Sequence, residues 1–210
     1  VIFPLVSQAT FTADAERTRD YIRKSLRLPL VVVVAAAAAV ASGPARIIGL
    51  IFPSNSQGVN EYLTSVGALT PLMFAYAAFS LLSIAGTILN GAGATLPALA
   101  IGAGTLLLDA VLDYAAIQWA QAGGHSATTA AATATAIAMT SGLLASLVVL
   151  QRRFGASLSP LSAVRIVGAA AVAIVVARYL PVPEPAGRVA AAITCAAVVG
   201  AGALFYAIGL

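Results

Sequence analysis

Long stretches without a charged residue are the feature that most constrains how this chain can fold. Neither residues 84–108 nor residues 127–150 contain a charge, and about 20 apolar residues in a helix cross the hydrocarbon core of a bilayer. Over the whole chain 9% of residues are charged and 60% are hydrophobic, whereas soluble proteins are about a quarter charged. The sequence therefore predicts an integral membrane protein.

The apolar residues are mainly Ala, Val, Leu and Gly, with few aromatics. Small residues favour closely packed helices over the strands of an outer-membrane barrel, so we expect an all-α fold, a polytopic bundle of transmembrane helices. The single Cys195 and the single His125 offer neither a disulfide nor a metal cluster. Because the sequence also lacks nucleotide-binding and catalytic motifs, we expect a transporter without a bound cofactor rather than an enzyme.

Turn residues divide the chain into three predicted hairpins of apolar spans. The Gly-containing stretches 53–58, 90–94 and 121–126 are typical of loops. A break at Ser42, Gly43 and Pro44 should kink or shorten the first span, and Pro71 should bend the second. The six predicted spans cover about residues 28–52, 62–89, 96–119, 127–150, 161–180 and 188–210.

The segment before the first span is the one strongly polar part of the chain. We expect residues 1–27 to contain the end of a preceding span and a cytoplasmic amphipathic helix, followed by the bundle at residues 28–210. The helix should lie on the membrane surface with its bases on anionic lipid headgroups, although the same bases could guide an anionic lipid-linked substrate. These bases are Arg17, Arg19, Arg23, Lys24 and Arg27.

Basic residues also predict the orientation of the bundle. Since successive spans alternate in direction, eight bases fall on the side of the amphipathic segment and three on the other. The positive-inside rule then places both termini in the cytoplasm. The formal charge of +4 is accounted for by topology and lipid headgroups, so membrane lipids and not nucleic acid are the expected partners.

Two carboxylates lie inside the third predicted span. Asp109 and Asp113 are four residues apart, which puts both on one face of a helix, and ionised groups within a bilayer are costly unless they face water or partners. One interpretation is a cavity-facing pair that binds H⁺ or Na⁺ and couples ion movement to transport. In the other, Asp113 meets interfacial water and Asp109 hydrogen-bonds to a neighbouring helix.

Two arginines within or beside spans are further candidates for the site. Arg46 and Arg165 could contact the pyrophosphate of a lipid carrier, because a guanidinium binds phosphate oxygens in pairs. Alternatively, both side chains reach to the membrane interface and bind nothing specific.

The order of these elements resembles a known superfamily. The chain combines Phe3-Pro4-Leu5-Val6-Ser7, a charged segment ending in Arg-Lys-Ser-Leu-Arg at 23–27, a hairpin with Ile-Leu-Asn-Gly-Ala-Gly at 88–93, and Leu-Leu-Leu-Asp-Ala-Val-Leu-Asp at 106–113. It resembles the multidrug/oligosaccharidyl-lipid/polysaccharide exporters, in particular the carboxy-terminal half of the polysaccharide-biosynthesis branch, which includes O-antigen and lipid II flippases. The resemblance implies one lobe of a two-lobe alternating-access transporter in the bacterial cytoplasmic membrane.

Two departures from the family pattern bear on function. Asp109 and Asp113 stand where the family often has Asn-x-x-x-Asn, so a role for the pair does not transfer from the family. The turn 92–97 keeps the Pro but lacks the acidic residue typical of lipid II flippases, which favours a lipid-linked oligosaccharide as cargo. The other lobe would come from an amino-terminal part of the protein or from a second copy.

Three functions remain in view from the sequence. The first is a flippase for lipid-linked oligosaccharide in cell-surface polysaccharide or cell-wall synthesis. The second is a cation-coupled exporter of small molecules, in which Asp109 and Asp113 would have a larger role. The third is a membrane scaffold that transports nothing, for which both carboxylates would be dispensable.

Overall fold

The computed structural model describes residues 15–52, 61–155 and 160–179, and within them all regular structure is helical. The all-α fold class predicted from the sequence is thus confirmed. The helices are α1 (Ala15–Ser42), α2 (Pro44–Ile51), a 3₁₀ turn (Glu61–Ser65), α3 (Val66–Gly91), α4 (Thr95–Ala122), α5 (Ala127–Phe154) and α6 (Pro160–Tyr179).

Four of these helices are long and apolar enough to cross a membrane. They are the part of α1 at Thr18–Ser42 and the whole of α3, α4 and α5. A helix of 28 residues such as α4 is about 42 Å long, more than the ~30 Å hydrocarbon core. In α6 the apolar stretch Leu161–Val175 is shorter, and the predicted span at 188–210 lies outside the described residues.

The helices pack in an order that differs from their order in the chain. Helix α5 lies between α3 and α4, while α3 packs against α1 and α1 against α6. The consecutive helices α3 and α4 touch each other much less than either touches α5. Helices α3 and α5 therefore form the interior of the described bundle, with α4 on one side and α1 and α6 on the other.

The polar amphipathic segment is part of this bundle. Helix α1 continues without a break across residue 27, where the sequence predicted a boundary between a surface helix and the first span. Ile22 and Leu26 are fully buried in a cluster with Ile88, Leu89 and Leu150. Because the same apolar face continues at Leu30 and Val34, the four-residue spacing carries one helix from the polar segment into the membrane.

The break predicted within residues 28–52 is found at Gly43. Helix α1 ends at Ser42, whose hydroxyl donates to the carbonyl of Ala38 at 2.7 Å, and α2 begins with Pro44 as its first residue. Proline has no amide hydrogen and is suited to the first turn of a helix but not to its interior. By contrast, Pro71 is accommodated inside α3.

The buried cluster at the start of α1 gives a test of this packing. Leu26 is 0% exposed and Leu28 is 70% exposed, although the two lie on the same turn. We expect Leu26→Ala to lower the free energy of unfolding by about 2–5 kcal/mol through the cavity it leaves. Leu28→Ala should change it by about 0.5 kcal/mol or less. Denaturant titration of the purified protein, followed by circular dichroism, measures both, and equal losses would contradict the packing of α1.

Candidate functional site

The two intramembrane carboxylates lie on the side of α4 that faces α5. Most of α4 is exposed in the described structure, and its buried residues are Thr105 and Ala120. Asp109 and Asp113 lie between these two along the same face and are themselves partly buried. The pair is therefore placed at a contact between two spans, one helical turn apart.

A glycine on α5 lets the two helices approach closely at the base of this face. A Cβ atom built on Gly142 would lie 2.9 Å from Cγ2 of Thr105 and closer still to its Oγ1. The Thr105 hydroxyl donates to the carbonyl of Ile101 at 2.8 Å, so its polar atom is satisfied within α4. Small residues that allow such backbone approach are a common basis of helix association in membranes.

The two carboxylates have different surroundings. The hydroxyl of Thr135 on α5 donates to Oδ1 of Asp113 at 3.3 Å. Oδ1 of Asp109 is buried, and among the described residues none donates a hydrogen bond to it. The antiparallel register set by Thr105 with Gly142 and by Asp113 with Thr135 puts Asp109 level with 138–139, where Ala138 and Met139 are buried and apolar.

This arrangement has a clear electrostatic consequence. Two carboxylates one turn apart repel each other when both are ionised, and a buried carboxylate oxygen without a donor loses its hydration without replacement. A proton or a small cation would remove part of both costs, because hard cations bind carboxylate and hydroxyl oxygens. Asp109, Asp113 and Thr135 supply such oxygens, although within the described ranges His, Cys, Asp and Glu form no cluster of three or more suited to a metal ion.

The two candidate arginines are not brought together. Arg46 lies in α2, after the break that ends α1, and Arg165 lies near the start of α6. Helix α6 begins at Pro160, six residues after Phe154, whose carbonyl accepts from Arg19 near the start of α1. Arg165 is therefore near the polar end of α1, and Arg46 lies beyond its other end.

The bases of the amphipathic segment have several roles. Nε of Arg19 donates to the carbonyl of Phe154 at 3.0 Å and so satisfies one of the carbonyls left open at the end of α5. Lys24 forms an ion pair with Asp20 at 2.7 Å. Arg23 and Arg27 are exposed, while the side chain of Arg17 lies outside the described part of the chain.

Sequence reasoning missed the residues of α5 that complete the site. Thr135 and Gly142 lie in a span that was noted only as rich in Ala and Thr. The antiparallel arrangement of consecutive spans could have identified them in the sequence. When a short turn joins two spans, a polar residue early in the second span lies opposite a polar residue late in the first. The helix-end role of Arg19 had no such signal, because Phe154 is 135 residues away in the chain.

Fold and site together define a multi-pass helical membrane protein with a carboxylate pair between two of its spans. The fold is similar to that of a solved structure described as "Lipid II flippase MurJ, inward closed conformation", with a TM-score of 0.68 and 13% sequence identity. The match covers 100% of this chain and 41% of that one, so the chain spans less than half the length of the flippase it resembles.

The likeness to that flippase is one of fold. No protein-family model matches the chain. The search of curated proteins also gave no match.

The close contact of α4 and α5 can be tested at Gly142. We expect Gly142→Ala to destabilise the bundle by about 1–3 kcal/mol, because the added methyl group overlaps Thr105. Gly104→Ala is the matched control, since nothing lies within 4 Å of a Cβ at that position. Thr105→Ala should partly restore the stability of the Gly142→Ala protein. Additive losses in the double variant, measured by denaturant titration, would contradict the contact.

Proposed function

We propose that this chain forms one lobe of a flippase for lipid-linked sugars in the bacterial cytoplasmic membrane. The observation that carries the proposal is the fold likeness to a lipid II flippase over 100% of the chain at a TM-score of 0.68. The apolar composition and the four membrane-length helices support the same membrane setting. The cargo is a sugar headgroup on a lipid carrier, and the absence of an acid in the turn 92–97 favours oligosaccharide over lipid II.

Transport requires a second lobe opposite this one. The chain spans 41% of the length of the flippase with which it shares its fold, so the partner is either another part of the same protein or a second copy. The two lobes rock about a central cavity, exposing the headgroup to one side and then to the other while the lipid tail stays in the bilayer. The break at Gly43 between α1 and α2 is suited to absorb part of that motion.

The carboxylate pair couples an ion to this motion. Asp109 and Asp113, with the Thr135 hydroxyl, bind H⁺ or Na⁺ at the contact of α4 with α5. With the cation bound, repulsion and desolvation are relieved and the helices stay closely packed. When it leaves, the contact is destabilised, so the ion gradient biases the equilibrium between two arrangements of the bundle.

The polar end of α1 meets the lipid headgroups in this proposal. Arg23 and Arg27 are exposed there and attract anionic headgroups, including that of the substrate. Arg19 serves mainly to end α5 through its bond to Phe154. Arg165 lies near this polar end and Arg46 near the opposite one, so each would contact a phosphate at a different stage of transport.

Removal of the Asp109 carboxylate is the direct test of coupling. We expect Asp109→Asn to abolish the dependence of flipping on an imposed H⁺ or Na⁺ gradient and to slow gradient-driven flipping about tenfold or more, within the usual range of coupling between sites. The measurement is accessibility of a labelled lipid-linked sugar in vesicles that contain the natural full-length protein. Asp20→Asn, which removes an exposed carboxylate of α1, is the control and should retain the gradient response.

Each outcome of this assay bears on a separate part of the proposal. If the Asp109→Asn protein still flips lipid at a rate that depends on the ion gradient, the chain remains a flippase but the carboxylates do not couple the ion to transport. No flipping of either lipid-linked oligosaccharide or lipid II by the parent protein would contradict the flippase itself. Transport of small organic cations in the same vesicles would then favour a multidrug-type exporter. The absence of any transport would favour a membrane scaffold.

Thr135 positions Asp113 and gives a second test of ion binding at the carboxylate pair. Thr135→Ala removes the hydroxyl that donates to Asp113, so we expect a higher ion concentration at half-maximal flipping with little change in the maximal rate. Thr133→Ala is the matched control two residues away, because the Thr133 hydroxyl bonds to the backbone of its own helix. Identical ion dependence in the two variants would exclude Thr135 from the site.

A further inference from the structure

An apolar groove lies between α3 and α4, and it shares Thr105 and Met139 with the α4–α5 contact beside the carboxylates. Where α3 and α4 diverge they enclose a groove of about 240 Å³ whose floor is formed by α5. Phe79 and Leu106 line it and are themselves largely exposed, so the groove is open along one side. It faces outward between spans, at the depth of the membrane interior.

Two glycines on opposite walls create this space. Gly86 on α3 and Gly102 on α4 both line the groove, and a Cβ atom at either position would have nothing within 4 Å. Larger side chains at these positions would project into the groove. The groove therefore depends on the absence of side chains at two points, and a single substitution can fill it.

The lining offers little to a polar occupant. Its Thr105 hydroxyl donates to the carbonyl of Ile101 at 2.8 Å, and its Ser146 hydroxyl donates to the carbonyl of Gly142 at 2.7 Å. Both of these donors are used within their own helices, Ser83 supplies the third hydroxyl of the lining, and no charged residue is among those that line the groove. A sugar or other hydrated group would lose its hydrogen bonds there, whereas hydrocarbon would not.

The length of the groove matches one leaflet of a bilayer. On α3 it extends from Phe79 to Leu89, which is about 15 Å along a helix and half of the ~30 Å hydrocarbon core. It ends at the turn between α3 and α4, beside Leu89 and Ala98. A hydrocarbon chain lying in it would reach from the membrane surface at that turn to the middle of the bilayer.

A basic residue lies where the headgroup of such a lipid would be. Met139 and Ser146 of α5 form part of the floor, and Arg153 follows Ser146 by the same seven-residue step, which returns to the same face of a helix. Arg153 is exposed in the last turn of α5, three residues beyond Leu150, which packs with Leu89 and Ala94 at the turn. The residue next to it, Arg152, points about 100° away.

We propose that this groove binds one acyl chain of an anionic phospholipid from the leaflet at the α3–α4 turn, with the phosphate beside Arg153. The lipid fills the gap between α3 and α4 and holds them at a fixed separation on either side of α5. This site is independent of the flippase proposal and requires only that the chain is embedded in a bilayer.

Native mass spectrometry of the full chain tests the site. The purified protein is mixed with equal amounts of phosphatidylglycerol and phosphatidylcholine that carry the same acyl chains, and the lipid retained on each chain is counted. We expect the parent to retain one phosphatidylglycerol and Gly102→Leu to retain about tenfold less. Gly104→Leu is the matched control, since Gly104 is on the same helix but does not line the groove, and it should retain lipid as the parent does.

Further variants separate the two parts of the site. Gly86→Leu fills the groove from the opposite wall and replaces Gly102→Leu if that protein does not fold. Arg153→Gln should still retain lipid but lose the preference for phosphatidylglycerol, whereas Arg152→Gln should keep it. Equal retention by the Gly102→Leu and Gly104→Leu proteins would overturn the proposal. Preferential retention of a polyprenyl phosphate, when that lipid is added to the same mixture, would also overturn the proposal and would assign the groove to the transported lipid.

Discussion

The close contact of α4 with α5 is the feature on which the rest of the described site depends. Gly142 has no side chain where Thr105 lies, and this allows the two backbones to approach. Only with that approach can Thr135 reach Asp113 and leave Asp109 facing an apolar wall. The same contact forms the floor of the groove beside α3, so the carboxylate site and the proposed lipid site share one helix–helix interface.

The membrane explains why these few polar groups are informative. Inside a bilayer, polar groups must find hydrogen-bond partners within the protein. The described hydroxyls of Ser42, Thr105 and Ser146 do so by donating to backbone carbonyls four residues earlier in their own helices. Oδ1 of Asp109, by contrast, is buried and has no hydrogen-bond donor among the described residues. A buried acceptor that is left without a donor costs free energy, so Asp109 stands out among the polar groups of the described spans.

Much of the fold could be predicted from local sequence, and the site only in part. Charge-free runs indicated the helices, and Gly43 with Pro44 indicated the break, because both signals act over short distances. The four-residue spacing predicted that Asp109 and Asp113 share one face of a helix. It did not predict which helix that face contacts, because this depends on packing among distant segments. Helix α1 runs through residue 27, because Ile22 and Leu26 belong to the same apolar face as Leu30 and Val34.

Infrared difference spectroscopy of the carboxyl groups tests most directly whether the pair binds an ion. The full-length protein in lipid is exposed to steps in pH and in Na⁺ concentration, and its spectrum is compared with that of the Asp109→Asn/Asp113→Asn protein. The account predicts a carboxyl signal that changes with H⁺ or Na⁺ in the parent and is lost in the double variant. Identical difference spectra for the two proteins would contradict it, because neither intramembrane carboxyl would then change its state.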